Sequence, residues 1–338
     1  MRVSLQPARL AQGAVGCQPS RFTASLFGLA AVVLVSVTVP ALADERPRHD
    51  SDLAYIPPAP APLTTTQFVD ARSAEDLLSF FNDADYDLLA VREGLSTVPR
   101  LYTAVLPKDL RKVKVSDGRK EAFIGAMLPL VLMANEEILQ LRRRIETLAD
   151  KVDGAELLTA EEINWLTEVA TLYETDPWDF EELLLRVDAV PVSLTLAQAI
   201  EESGWGTSRY ARDGNALFGQ RTWSGGPSMV ARKDGKALEH RAAAFPDLMQ
   251  SVRSYMHNLN THPAYKKFRA ERERQRDAGQ LLDGGTLAGF LGRYAENEVY
   301  AQNLRRLIRH NDLDAYEAAR LASGAIAETL VAQAGPGG

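Results

Sequence analysis

Beyond residue 66 the apolar positions recur mostly at helical spacing. The run SAEDLLSFFNDADYDLLAV opens on Ser73, a residue suited to cap a helix. Arg119–Asp150 reads as a long helix whose second half carries an apolar stripe at Ile138, Leu141, Ile145 and Leu148; Pro129 inside it predicts a kink or a restart. Thr159 followed by Glu162 has the form of a capping box, and Asp176 with Pro177 predicts the start of a further helix. Pro191–Ser203 is apolar along Leu196 and Ile200, with Ser193 as its expected cap and Gly204 as its stop. One stretch, SMVARKDGKALEHR, breaks the helical pattern: Asp234-Gly235 between two short segments predicts a hairpin, with Glu239 opposite Val230. The expected class is mainly α (α+β).

The first 66 residues follow other rules. A 14-residue apolar core, Leu26–Val39, is preceded by Arg2, Arg9 and Arg21 and ends in Pro40-Ala41-Leu42-Ala43. This is the layout of a secretory signal cleaved after Ala43, although an uncleaved anchor has the same pattern. Residues 44–66, with Pro57, Pro58, Pro60 and Pro62, read as an extended linker. Residues 67–189 are expected to form a helical N-terminal region, 190–315 a catalytic domain and 316–338, ending in Gly335-Pro336-Gly337-Gly338, a flexible tail. Cleavage would remove the only cysteine, Cys17, and the three arginines, taking the net charge from −7 to −10. A chain this acidic has no general nucleic-acid footprint, and after cleavage no membrane span is expected.

The chemistry concentrates at IEESGWG, Ile200–Gly206. Glu202 leaves its helix opposite Leu196 and Ile200, on a stripe with Thr195 and Gln198. Periodicity alone fits a solvated glutamate. The adjacent Trp205 opens a second reading, because a carboxyl shielded from water keeps its proton nearer neutrality and can donate it. Cleaving a glycosidic bond needs such a donor for the leaving oxygen.

Leu196–Gln220, LAQAIEESGWGTSRYARDGNALFGQ, resembles the signature of the bacterial β-N-acetylglucosaminidases of glycoside hydrolase family 73. Within them it is most similar to the Bax-related branch of exported proteins, and RKEAFIGAMLPLVLMANEEI and SVRSYMHNLNTHPAYKKFRAERE extend the similarity on either side. The resemblance implies a lysozyme-like helical domain with a small β-hairpin lobe and a cleft between them. It implies a periplasmic or envelope enzyme that takes the glycan strands of peptidoglycan and cuts after N-acetylglucosamine, without a metal or organic cofactor. It places the catalytic acid at Glu202, a cleft tyrosine at Tyr294, where Glu296 and Asn297 depart from the family's Thr-Asp, and a possible second carboxylate at Glu239. Asn215, Leu217, Phe218 and Gly219 match its second motif. Trp205, Asn215, Phe218, Trp223 and Tyr300 are the candidates for substrate contact, with core packing the competing role of Phe218 and a solvated strand position that of Glu239. Arg209, Arg212 and Arg221 could offset the acidic charge locally.

Two other functions share parts of this pattern. A lytic transglycosylase also uses one glutamate but follows Glu-Ser with a different segment. A non-catalytic module would bind glycan strands or an envelope partner without cutting. His257 and His262 lack the spacing of a helical zinc pair and point to helix-end hydrogen bonding instead.

Overall fold

The structure is a computed structural model that describes residues 66–114, 118–222, 227–233, 236–291 and 298–323. The expected signal and all but the last residue of the linker lie outside these residues.

Two short strands, β1 (Gln67–Val69) and β2 (Leu101–Thr103), pair in parallel around α1 (Ala74–Asp83) and α2 (Leu88–Arg92). Ser73 caps α1 in a reciprocal box with Asp76. α3 (Lys120–Asp153) follows, an uninterrupted helix of 34 residues and so about 50 Å long. It neither stops nor restarts at Pro129. Every residue from Ala122 to Val131 is buried, and packing on all sides outweighs the missing backbone bond, a defect of about 3 kcal/mol in an exposed helix. Gly125 admits the Phe81 ring of α1 so closely that a Cβ would lie 2.4 Å from it. By length and composition α3 could cross a bilayer, but 78% of its apolar window is buried inside the protein, as in a core helix.

α4 (Ala160–Leu172) starts at the Thr159–Glu162 box, and α5 (Phe180–Arg186) starts later than its sequence suggested. Asp179 caps it, while Asp176 accepts from the Trp178 N–H in a turn before the helix. The link from α5 to α6 (Val192–Ser203) is pinned by side chains from distant helices. Asn135 of α3 exchanges two hydrogen bonds with Val190, and Asn260 donates to the Asp188 carbonyl. Asp188, fully buried, accepts two hydrogen bonds from Arg276, with Arg272 at 3.7 Å and Arg142 at 3.8 Å. Three guanidiniums around one carboxylate make this cluster sensitive to loss of the acid, at a cost of about 3–5 kcal/mol.

α7 (Arg209–Gly214) leads into a three-stranded antiparallel sheet of β3 (Arg221–Thr222), β4 (Ser228–Lys233) and β5 (Lys236–Ala243) in the order β3-β5-β4. Lys233 pairs with Lys236 and Arg232 with Ala237, but an irregularity then brings Val230 opposite Arg241. Glu239 is therefore not opposite Val230: the irregularity on β5 absorbs the residues that an even register would have paired. α8 (Leu248–Thr261), α9 (Lys266–Asp277), α10 (Gly284–Leu287) and α11 (Glu298–His310) complete a mainly α architecture with a small β lobe.

One hydrophobic core runs from Ala74 to Ala319, and α3 packs on both α6 and α8. The chain beyond residue 315 is not all tail. Tyr316 and Ala319 are buried, Leu321 bridges to Val98, and Glu317 reaches the start of α6. The expected Ser193 cap is replaced by this long-range carboxylate, which accepts from the N–H groups of Val192 and Ser193 at 3.0 and 2.9 Å and from the Ser193 hydroxyl.

Candidate active site

α6 is buried almost all round, so its polar stripe does not face water. Thr195 is fully buried and Gln198 nearly so, four residues before Glu202 on the same face. The helix ends in a left-handed Gly204, φ 58°, followed by Trp205 and Gly206, both also at positive φ. Gly206 is required there, because a Cβ would come within 2.5 Å of Leu106. Trp205 carries the left-handed strain without being glycine, a cost of about 1 kcal/mol. Its indole meets Phe123 edge-on at 5.9 Å and lies under the Lys120 ammonium at 5.3 Å. The wall beside the motif is thus built partly by α3.

Glu202 is half-buried and asymmetric. The Tyr300 hydroxyl of α11 donates to Oε1 at 2.9 Å. Oε2 lies over Gly219, φ 62°, where a Cβ would sit 2.8 Å away. Burial pushes the carboxyl above its ordinary pKa and the neighbouring Glu201 adds to this, while the Tyr300 hydrogen bond and the Arg221 charge pull it back. A carboxyl so placed holds its proton nearer neutrality than a solvated glutamate. Glu201 itself is exposed and accepts a long bond from Asn303 at 3.5 Å.

Behind Glu202 runs a chain of polar groups. Tyr255 of α8 donates to Gln198 Oε1, and Gln198 Nε2 donates to the Tyr300 hydroxyl at 3.1 Å. Phe218 lies flat on Tyr255, with centroids 4.1 Å apart and planes 9° from parallel.

Two of the candidate substrate contacts are buried. Asn215 ends α7 in a left-handed conformation, and its buried amide donates to the carbonyls of Phe245 and Pro246 at 3.0 and 3.2 Å. Phe218 is likewise buried, its face spent on Tyr255. Both residues are thus largely engaged with their own neighbours. Arg209 and Arg212 donate to backbone carbonyls of Val230 and Thr207, whereas Arg221 stays within electrostatic reach of Glu202. Glu239 lies on β5 of the small lobe, and Trp223 and Tyr294 fall outside the described residues. His257 approaches the Leu172 carbonyl and His262 accepts from the Ala264 N–H, both helix-end roles; among the described residues no group of three metal-ligating side chains gathers.

Gln198 and Tyr255 were not singled out as site residues. Gln198 had a signal, its i, i+4 spacing from Glu202; Tyr255 had none, because only the packing of α8 brings it in.

Residues 179–313 match the family described as mannosyl-glycoprotein endo-β-N-acetylglucosaminidase, the glucosaminidase domain. Over 219 residues the chain is 35% identical to the protein Bax of Escherichia coli strain K12, covering 60% of this chain and 76% of that protein. The chain belongs to the glucosaminidase family, in its Bax-related branch. Among solved structures, the catalytic domain of the autolysin Auto from Listeria monocytogenes aligns with 51% of this chain and 96% of its own, at 20% identity and a TM-score of 0.30. As a glucosaminidase, the protein is of the glycoside hydrolase type. The matched segment begins at the cap of α5 and ends before Glu317, so both the carboxylate that caps α6 and the α3 residues behind Trp205 lie outside it.

Proposed function

We propose that this glucosaminidase is an exported peptidoglycan hydrolase that cuts the β-1,4 bond after N-acetylglucosamine, with Glu202 as general acid. The observation that carries this reading is the state of Glu202: a carboxyl raised by burial, tied at Oε1 by Tyr300 and lying over Gly219 at Oε2. Its proton passes to the glycosidic oxygen while positive charge develops at the anomeric carbon of the sugar. Water completes the reaction, directed by Glu239 or replaced in its first step by the substrate's own acetamido group. Trp205, Trp223 and Tyr300 are the proposed substrate contacts, Tyr294 is the catalytic tyrosine that hydrogen-bonds the sugar or steadies its developing charge, and Tyr300 also touches the acid. Export to the periplasm or envelope rests on the apolar leader and its Ala-Leu-Ala ending.

The test is mass spectrometry of borohydride-reduced fragments from purified peptidoglycan, digested by the mature protein and by Glu202→Gln. New reducible N-acetylglucosamine ends, absent with the variant, are expected. Anhydro-muramic ends would make the protein a lytic transglycosylase, and intact strands bound by both proteins would make it a glycan-binding module.

A further inference from the structure

The hydrogen-bond chain behind Glu202 has a direction, and the direction has a consequence for which oxygen carries the acidic proton. A glutamine amide has one accepting and one donating end, and a phenol has a single proton to give. Gln198 presents its N–H to the Tyr300 oxygen, and the Tyr300 hydroxyl donates its proton to Glu202 Oε1. With the amide reversed, Gln198 Oε1 would compete for that same proton and Glu202 would lose its donor. Tyr255 sets the orientation by donating to Gln198 Oε1, and its ring is fixed by the parallel face of Phe218.

We propose that Gln198, held by Tyr255, is a positioning residue that commits the Tyr300 proton to Oε1 of Glu202 and thereby places the acidic proton on Oε2, over Gly219. The inference rests on Glu202 being the general acid. A proton on Oε1 would meet the one Tyr300 donates there, so the neutral acid carries its proton on the other oxygen. That oxygen looks onto Gly219, an exposed backbone position without a side chain, where a substrate oxygen can approach. This also explains the Leu217-Phe218-Gly219 segment: Leu217 fills core, Phe218 clamps Tyr255, and Gly219 keeps the space at Oε2 open. Among the described residues, the charged groups that act on Glu202 are Glu201 on its own helix and Arg221 from β3, beside the Tyr300 hydrogen bond from α11.

The experiment follows the titration of the Glu202 carboxyl by carbon NMR, assigned by its absence in Glu202→Gln, alongside the pH profile of glycan cleavage. Tyr300→Phe removes the donor and is expected to raise the Glu202 midpoint by about one pH unit. Gln198→Glu puts a carboxylate where the amide was, which recruits the Tyr300 proton; the midpoint is expected to rise, and adding Tyr300→Phe on that background to raise it no further. Equal increments from Tyr300→Phe in both backgrounds would overturn the inference, because the two residues would then act independently. Tyr255→Phe, a change that keeps the ring on Phe218, frees the amide to turn and should move the midpoint part of the way upward. A wild-type midpoint in that variant would also overturn the inference, which keeps it decidable if a buried carboxylate at 198 prevents folding. The basic limb of the cleavage profile is expected to move with the midpoint in each variant. The titration needs no turnover, so a protein that cuts no glycan would refute the proposed function while leaving the hydrogen-bond chain separately testable.

Discussion

Each end of α6 carries a glutamate that burial pushes toward its neutral form, yet the two are wired differently. At the start of the helix, Glu317 rises to about 7, with Val192 and Ser193 holding both its oxygens. At the other end, Glu202 receives one donor among the described residues, Tyr300 on Oε1, and its Oε2 faces a glycine. Burial alone therefore does not distinguish an acid from a cap. The placement of donors does: a carboxyl held on both oxygens secures a helix, and one held on a single oxygen keeps a position from which a proton can leave.

The strongest way to break this comparison is Glu202→Gln, which keeps the shape and removes the proton. Cleavage is expected to fall by about a thousandfold, with thermal stability retained. Digestion rates close to those of the native protein would remove Glu202 from the chemistry. Gly219→Ala comes next, since its Cβ would press on Oε2 at 2.8 Å from a left-handed backbone. A displacement of the carboxyl on that scale should cost about a hundredfold in kcat/KM with unchanged secondary structure by circular dichroism. At the other end of the helix, Glu317→Ala is expected to cost about 2 kcal/mol in urea unfolding, because the first N–H groups of α6 lose their partner.

Two smaller effects sharpen the contrast. A carboxyl whose folded pKa is raised stabilises the fold fully below its unfolded value and loses that contribution as pH rises through the folded one. Native protein and Glu317→Gln should thus be similarly stable near pH 4.5, with the variant gaining as pH approaches and passes 7. A stability difference that stays flat across this range would show that Glu317 is an ordinary charged cap. The mildest change is Glu201→Gln. Removing this charge should lower the Glu202 midpoint and draw the basic limb of cleavage to lower pH, an effect that salt should weaken.

What could be read in the sequence divides along a similar line. Ser73, the Thr159–Glu162 box and the Gly204 stop are local devices, satisfied within a few residues, and each forms as its spacing predicts. Ser193 failed as a cap because the helix start is buried against a segment 124 positions away, and no local pattern announces Glu317. Asp176 yielded to Asp179 because both can cap and only the packing of α5 chooses. The hairpin was legible from Asp234-Gly235, but its register was not, since an irregularity on β5 has no fixed residue signature. At the site, the family motif singled out Glu202 and the segment over which it lies. It could not say how Asn215 and Phe218 serve the site, because a motif reports that positions matter, whereas the fold decides what they touch: the Asn215 amide meets backbone carbonyls, and Phe218 packs in the core as its competing role had it. The stripe joining Gln198 to Glu202 was visible, and its completion by Tyr255 and Tyr300 depended on two later helices converging on α6.

One measurement joins structure to function most directly: the Glu202 carboxyl titration and the basic limb of kcat/KM on peptidoglycan, recorded on the same protein in the same buffers. The two midpoints are expected to coincide, above the ordinary range of a glutamate. A Glu202 that ionises at ordinary glutamate pH while cleavage persists well above it would show that another group delivers the proton.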